Sequence, residues 1–314
     1  MPAPFPVDPV RTGIVIAYRN DKLIADQVMP RTPVDGELFK WSEYDKAERM
    51  THIDTEISRK GAAKEVEFGA TEKNASTADH GLDDVVPQSD IDKAAAGNSG
   101  YDPLDHASEA LTDLILLDRE VRTARIVFDQ KNHAHGRALT AAERFSNRDA
   151  DLLAFLLEQL DKPLMRPNTL TIGRAEWTQL RVNRSMVAAA HGNSGDKGVV
   201  SLAQMLELLE LDNIFIGESR VNIARKGKPA EVARVWAGHA AFTYLAPNVS
   251  VPSGTLTWGA TPQFEDRFAA TWYDEKVGLK GGYRLRVGEQ VKELVIAKEC
   301  GLLLRDVITA PVGD

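Results

Sequence analysis

The sequence holds a single cysteine, Cys300, in 314 residues. One thiol excludes an intrachain disulfide framework and any cysteine-rich zinc site. No apolar run approaches the roughly 18 residues of a membrane-spanning helix. The proline-rich start, MPAPFPVDPVRTG, lacks the basic-then-apolar pattern of a signal peptide. Positive charge is in deficit: 38 Lys plus Arg face 46 Asp plus Glu, for a net charge of −8. That balance argues against reading DNA sequence, which leaves a basic footprint. Catalytic signatures are missing too. Gly192 to Lys197 lacks the Gly-Lys pair of a phosphate-binding loop, and Gly227-Lys228 is followed by Pro229. Gly97-Asn98-Ser99-Gly100 has the wrong spacing for a nucleophile elbow. His133 and His135 stand close together, but no H-E-x-x-H helix accompanies them. Cys300 sits in an apolar strand pattern and reads as a small buried hydrophobe. The expectation is a soluble protein of a reducing compartment, off the membrane, with no catalytic, cofactor-binding or metal-ligating residue and no cofactor.

What is present is ordinary in bulk: 43% apolar and 27% charged residues, in a chain of about two domains' length. The parts are less ordinary. Four prolines fall in the first nine residues, so residues 1 to about 35 read as an extended arm. Ile14, Val15, Ile16, Leu23, Ile24 and Val28 would be odd choices for a solvated tail. They point to an arm ordered against a neighbouring chain. From Phe39 to Gly81 there is no leucine. Within that stretch HIDTEIS (52–58) and KEVEFGATE (64–72) alternate with period two, as half-buried strands do, around a turn at 59–63. A hairpin this poor in apolar residues must lie on something else.

Pro87 to Ala96 reads as a short helix closed by Gly97. Asp102-Pro103 is a strong helix start. Leu104, Ala107, Leu111, Leu114, Val121, Ala124 and Phe128 then mark one face, with a polar break at Asp118. The resulting helix, 103 to about 131, would be about 40 Å long. From 147 to 260 helix and strand signals alternate. ADLLAFLLEQL is capped by Asn147 or Asp149, and helices are expected at 174–183 and 201–211. Strands are expected at 168–173, 212–219 and 232–247, with a turn-rich loop at 191–198. The remainder reads as strands, with Gly288-Glu289 as a tight hairpin turn. Extended arm, under-cored hairpin and over-long helix together fit a chain whose missing burial comes from other copies of itself.

The order of these pieces resembles the major capsid protein of tailed bacteriophages, whose shell fold is shared with encapsulins. IAYRNDKLIADQVMPRTPV (16–34), HGLDDVVPQSDIDKA (80–94) and YDPLDHASEALTDLILLDREVRTARIVFD (101–129) carry the resemblance. PNTLTIGRAEWTQLRVN (167–183), LDNIFIGESRVNIARKGKP (211–229) and KECGLLLRDVI (298–308) continue it. It implies an α+β fold with an N-terminal arm (1–38) and an extended β-hairpin loop (39–85). A peripheral domain (86–147 and 262–314) would carry the spine helix of about 103–131, and an axial α/β domain would span 148–261. It implies a structural subunit and not an enzyme, built as hexamers and pentamers into an icosahedral head around double-stranded DNA. Many weak contacts would then close a stable container. The expected partners are other copies of the chain, a separate scaffolding protein, a portal and a decoration protein. Packaged DNA would be touched non-specifically at most; Arg122 and Arg125 are local basic residues that could face it. The expected location is the virion capsid, assembled in the host bacterial cytoplasm. Some relatives cross-link a loop lysine to an asparagine. Lys60, Lys64 and Lys73 lie in that region, but no asparagine partner or catalytic glutamate can be named, so no cross-link is expected. Two alternatives remain: an encapsulin shell subunit holding a cargo enzyme, and an oligomeric α/β enzyme using His191, Asp196 and Lys197.

Overall fold

The computed structural model describes residues 5–44, 52–59, 61–63, 65, 70–97, 100–192, 198–249 and 255–309. The first element corrects the extended-arm reading. Asp8 accepts hydrogen bonds from the backbone N–H groups of Val10 (3.1 Å) and Arg11 (3.2 Å), and Pro9 opens helix α1 (Pro9–Ala17). Asp-Pro here is a helix start and not a piece of polyproline. One short turn of helix, α2 (Ala25–Val28), and strand β1 (Arg31–Pro33) follow. Val15, Ile24 and Val28 are buried in the chain's own body, without a neighbour.

Strands β2 (Leu38–Tyr44) and β3 (Ala70–Ser76) form a separate antiparallel ribbon, in register from Leu38↔Ser76 to Tyr44↔Ala70. The paired strands are therefore 38–44 and 70–76; 52–58 is not one of them, and most of the expected arm 64–72 lies outside the described residues. His52–Ser58 has no strand structure and is exposed throughout. Alternation fixes a strand only where one face has something to cover. The ribbon's root does: Phe39 and Trp41 are buried against Val34 and Ala260.

Strand β4 (Ala78–Pro87) leads into helix α3 (Gln88–Ala96) and then α4 (Pro103–Val127). Asp102 caps α4, accepting from the Leu104 N–H at 2.8 Å. The helix ends four residues before the expected limit, and a short 3-10 turn, Gln130–Asn132, follows. Its buried face also differs from the expected stripe. Leu104, Ala107, Leu111, Ile115 and Ala124 are buried, and Ser108, Thr112, Arg119, Glu120 and Thr123 share that face. Leu114 is 54% exposed. The spacing of three and four holds, but five of the twelve buried residues on the helix are polar.

Strand β5 (His135–Ala138) precedes α5 (Leu152–Leu160), capped by Asp151 and not by Asn147 or Asp149. Then come β6 (Thr169–Gly173), α6 (Arg174–Leu180), α7 (Arg184–His191) and α8 (Leu202–Leu209), the last with a Ser201–Gln204 capping box. Helix α7 was not foreseen. Strands β7 (Asn213–Gly217), β8 (Arg220–Asn222), β9 (Val232–Arg234) and β10 (His239–Thr243) complete this region. The single strand expected at 232–247 is two, because Gly238 takes φ +82° and breaks the run between β9 and β10. The chain finishes with β11 (Gly259–Asp274), β12 (Gly282–Val291), β13 (Leu294–Val295) and β14 (Gly301–Arg305).

Two five-stranded sheets organise these elements. One runs β1-β11-β12-β4 with β13 beside β11, and the other runs β5-β14-β10-β6-β7. Strand β12 passes straight through Gly288, so no turn lies there. Gly288 pairs with Phe268 on one side and Gly81 on the other. An added Cβ at Gly288 would sit 3.0 Å from the Phe268 ring, so the glycine accommodates an aromatic lying across the sheet. Helices α5 to α8 cover the second sheet in a leucine-rich core that includes Leu156, Leu160, Leu170, Ile172 and Phe242. Helix α4 and α1 cover the first through Val15, Leu111, Leu285 and Val287.

Candidate functional site: an assembly surface on a buried charge cluster

The unusual chemistry lies where α2, α4, β1 and the edge of the first sheet meet. Glu120 of α4 is fully buried. Its carboxylate accepts from the backbone N–H groups of Ile24 (3.0 Å) and Ala25 (2.8 Å), at the start of α2. It also accepts from Ser219 Oγ (3.1 Å) and the Trp236 indole N–H (2.6 Å). A single helical turn is too short to satisfy its own N–H groups, so α2 takes its acceptor from α4. The neighbouring Arg119 is 1% exposed and reaches the Met29 carbonyl and Thr261 Oγ1, each at 3.0 Å, and pairs with Asp26. Burial pushes this guanidinium down to about 10, against the pull of Glu289 and Glu293, so it remains a cation at neutral pH.

A second tier extends the cluster. Arg31 donates to Asp26 (2.7 Å), Gln263 (3.0 Å) and Glu289 (2.8 Å). A register shift in β11 between Phe264 and Phe268, with Glu265 at φ +55°, turns Arg267 toward Glu289 at 3.8 Å. Arg122 pairs with Asp118 and with Glu293 at 3.0 Å, and approaches His80 Nδ1 at 2.9 Å. Burial is the largest single influence on Glu293 and would raise it, but the Arg122 hydrogen bond and the charges of Arg122 and Arg119 together hold that carboxyl low. The group ties the N-terminal segment to the spine helix with directional contacts. Sequence reasoning missed Arg119 and Glu120, although their spacing from Leu116 and Thr123 places them on the same helix face.

The outward surface carries several apolar side chains. Beyond the ribbon β2–β3, Ile53 and Ile57 are exposed on a segment with no strand of its own, and Leu38 is 83% exposed. On the turn between β11 and β12, Leu279 is fully exposed. Lys40 pairs with Glu72 across the ribbon at 2.8 Å, and Lys73 lies 5.4 Å from the centre of the Trp41 ring.

The residues singled out from the sequence scatter. His133 is buried, donates from Nε2 to the Val127 carbonyl at 2.7 Å, and stacks on Trp258 at 5.0 Å. Burial pushes it down to about 4, so it is neutral. His135 lies apart on β5. No group of three or more His, Cys, Asp or Glu able to hold a metal ion occurs among the described residues. Cys300 is buried with Trp236, Trp258 and Leu303. His191 ends α7 and is exposed, while Asp196 and Lys197 lie outside the described residues, as do Lys60, Lys64, Asn98 and Ser99. Arg122 is held by carboxylates, and Arg125 is exposed.

The chain is 44% identical over 310 residues to the major capsid protein of Pseudomonas phage JBD67, covering 98% of this chain and 99% of that protein. A phage-related protein from Bordetella bronchiseptica RB50 has a TM-score of 0.74 at 19% identity, covering 96% of this chain and 98% of that one. The capsid of Cyanophage P-SCSP1u has a TM-score of 0.58 at 12% identity, covering 92% of this chain and 89% of that chain. No protein-family model matches the chain. The α+β fold read from the sequence is the one these phage capsid structures share.

Proposed function

The chain belongs to the phage major capsid protein family, and on that premise we propose that it assembles as hexamers and pentamers into an icosahedral head enclosing double-stranded DNA. The observation that carries this reading is the likeness to a capsid protein over nearly the whole length. The exposed Ile53 and Ile57 beyond the ribbon β2–β3 support it, because a lone chain leaves them uncovered. In this reading residues 1–38 are the arm and 39–85 the loop that lies over a neighbour. Residues 86–147 and 262–314 are the peripheral domain, and 148–261 the axial domain. The role is structural, with no catalytic step. The head is assembled in the host cytoplasm with a separate scaffolding protein, a portal and a decoration protein.

Tyr44 and Ala70 are directly paired. Residues 45–69 can therefore be replaced by an Asn-Gly turn without disturbing the ribbon. Negative-stain electron microscopy of the full chain should show shells, tubes or six-fold sheets. The shortened chain should stay folded and form none. Normal shells from the shortened chain would sink the assigned role of the loop. Compact small oligomers from the full chain, with and without a co-expressed scaffold, would sink the capsid reading.

A further inference from the structure

The strands β8 and β9 form a second, isolated two-stranded ribbon, in register from Arg220↔Arg234 to Asn222↔Val232. Between residues 220 and 234 it carries Arg220, Arg225, Lys226, Lys228 and Arg234 against one carboxylate, Glu231. That is a local charge of +4 on a chain of net −8. All five cations are exposed, and none makes an ion pair or side-chain hydrogen bond among the described residues. Several arginines elsewhere behave differently: Arg11, Arg31, Arg119, Arg122, Arg284 and Arg286 each have a carboxylate partner.

The ribbon is ordered, so these charges have fixed places. Ile223 N–H donates to the Glu231 carbonyl at 2.8 Å, and Asn222 Oδ1 accepts from Ala224 N–H (3.1 Å) and Glu231 N–H (3.0 Å). Lys228 N–H closes the tip on the Arg225 carbonyl at 3.0 Å, with Gly227 at φ +86°. Arg220 and Arg234 stand directly opposite one another on the exposed face. Like charges in that position repel unless an anion lies between them. From this pair to the tip the cations spread over roughly 15 Å.

We infer that this ribbon is a docking surface for the phosphate backbone of double-stranded nucleic acid, in a sequence-independent and salt-labile manner. The inference takes its biological setting from the capsid reading above. A duplex presents about one phosphate per 1.7 Å of axis, so a 15 Å row of cations faces several at once. A two-stranded ribbon is also a shape that a duplex groove admits. An acidic protein surface suits it less: the ribbon has no aromatic residue and no buried apolar centre, and lysine is depleted in protein interfaces. Arg122, one of the two basic residues singled out on α4, is a poorer candidate, because Asp118 and Glu293 already hold it.

The test uses the full chain and a fluorescent duplex of arbitrary sequence, titrated between about 50 and 200 mM salt. The triple variant Arg225→Gln, Lys226→Gln, Lys228→Gln should bind more than about tenfold more weakly at low salt, with a log K against log salt slope shallower by about 2.7. Lys40→Gln, which removes a paired cation, should leave the slope unchanged. Both variants are imaged for shells. Shells from the unaltered chain together with no DNA binding, or an unchanged slope in the triple variant, would overturn the inference and leave the capsid reading standing. DNA binding with the expected slope change but no shells would do the reverse. Loss of shells in the triple variant with DNA binding intact would mean that the ribbon docks on an acidic face of another copy, and would overturn the inference.

Discussion

The two sheets are held by different physics. The sheet β5-β14-β10-β6-β7 is sealed by α5 to α8 through leucines and Phe242, and Glu176 is the one buried carboxylate among its described residues. The sheet β1-β11-β12-β4 has an apolar core too, but its junction with α2 and α4 buries Arg119, Glu120, Arg267 and Glu289. Apolar burial is non-directional, so the first half gains adhesion without a preferred angle. Buried charges bind only in one geometry, so the second half gains register. The difference teaches that the N-terminal segment is positioned by hydrogen bonds to the spine helix, and is not simply stuck to it. The two ribbons differ as well: β2–β3 is rooted by Phe39 and Trp41, while β8–β9 is held by its backbone ladder and by the Val235 N–H to Ser219 carbonyl bond at 3.0 Å.

The strongest way to break this contrast is at Glu120. Glu120→Ala strands four donors and should lower stability by about 3–5 kcal/mol, read as a shift in the guanidinium unfolding midpoint. A loss below about 1 kcal/mol would mean that burial, not the carboxylate, seats α2. In the other half, Leu156→Ala should remove about 2–5 kcal/mol, by the same amount at low and high salt. A salt-dependent loss there would blur the distinction. His133 sharpens it with pH. The imidazole binds its proton near 4 when folded and near 6.5 in the unfolded chain. Between those values unfolding takes up a proton, so stability is complete above 6.5 and falls as pH drops toward 4, by about 3 kcal/mol in all. His133→Gln should flatten midpoint against pH in that window, and an equal slope in both proteins would count against the assignment. The smallest effect is expected at the ribbon surface. Lys40→Ala removes an exposed pair and should leave the unfolding midpoint where it was.

Legibility followed how local each signal is. Asp102-Pro103 announced α4 because cap and proline act within one turn. Asp8-Pro9 carried the same signal and was masked by the prolines around it. The hairpin was visible as a gap without leucine, but its arms were displaced to HIDTEIS, since alternation cannot say whether a covering surface exists. Gly288 looked like a turn because the ring of Phe268 that needs the space lies twenty residues away in sequence. The charge cluster was hidden for the same reason. Arg119 and Glu120 look like an ordinary solvated pair until α2 and β1 are folded over them. The basic ribbon was read only as the stretch RVNIARKGKP, because its missing counter-charges are a property of three dimensions.

The Glu120 contacts also bear on how the molecule comes together. That carboxylate joins Ile24, Ser219 and Trp236, partners separated from it by 96, 99 and 116 residues. Loops of that size must close before any of these bonds can form, so the expectation is that they form late, read as a φ-value near zero for Glu120→Ala. Interactions absent from the transition state govern the rate of escape from the native basin and barely touch the rate of entry. Glu120→Ala is then expected to speed unfolding and leave the folding rate nearly unchanged, so that the carboxylate governs how long a finished subunit lasts.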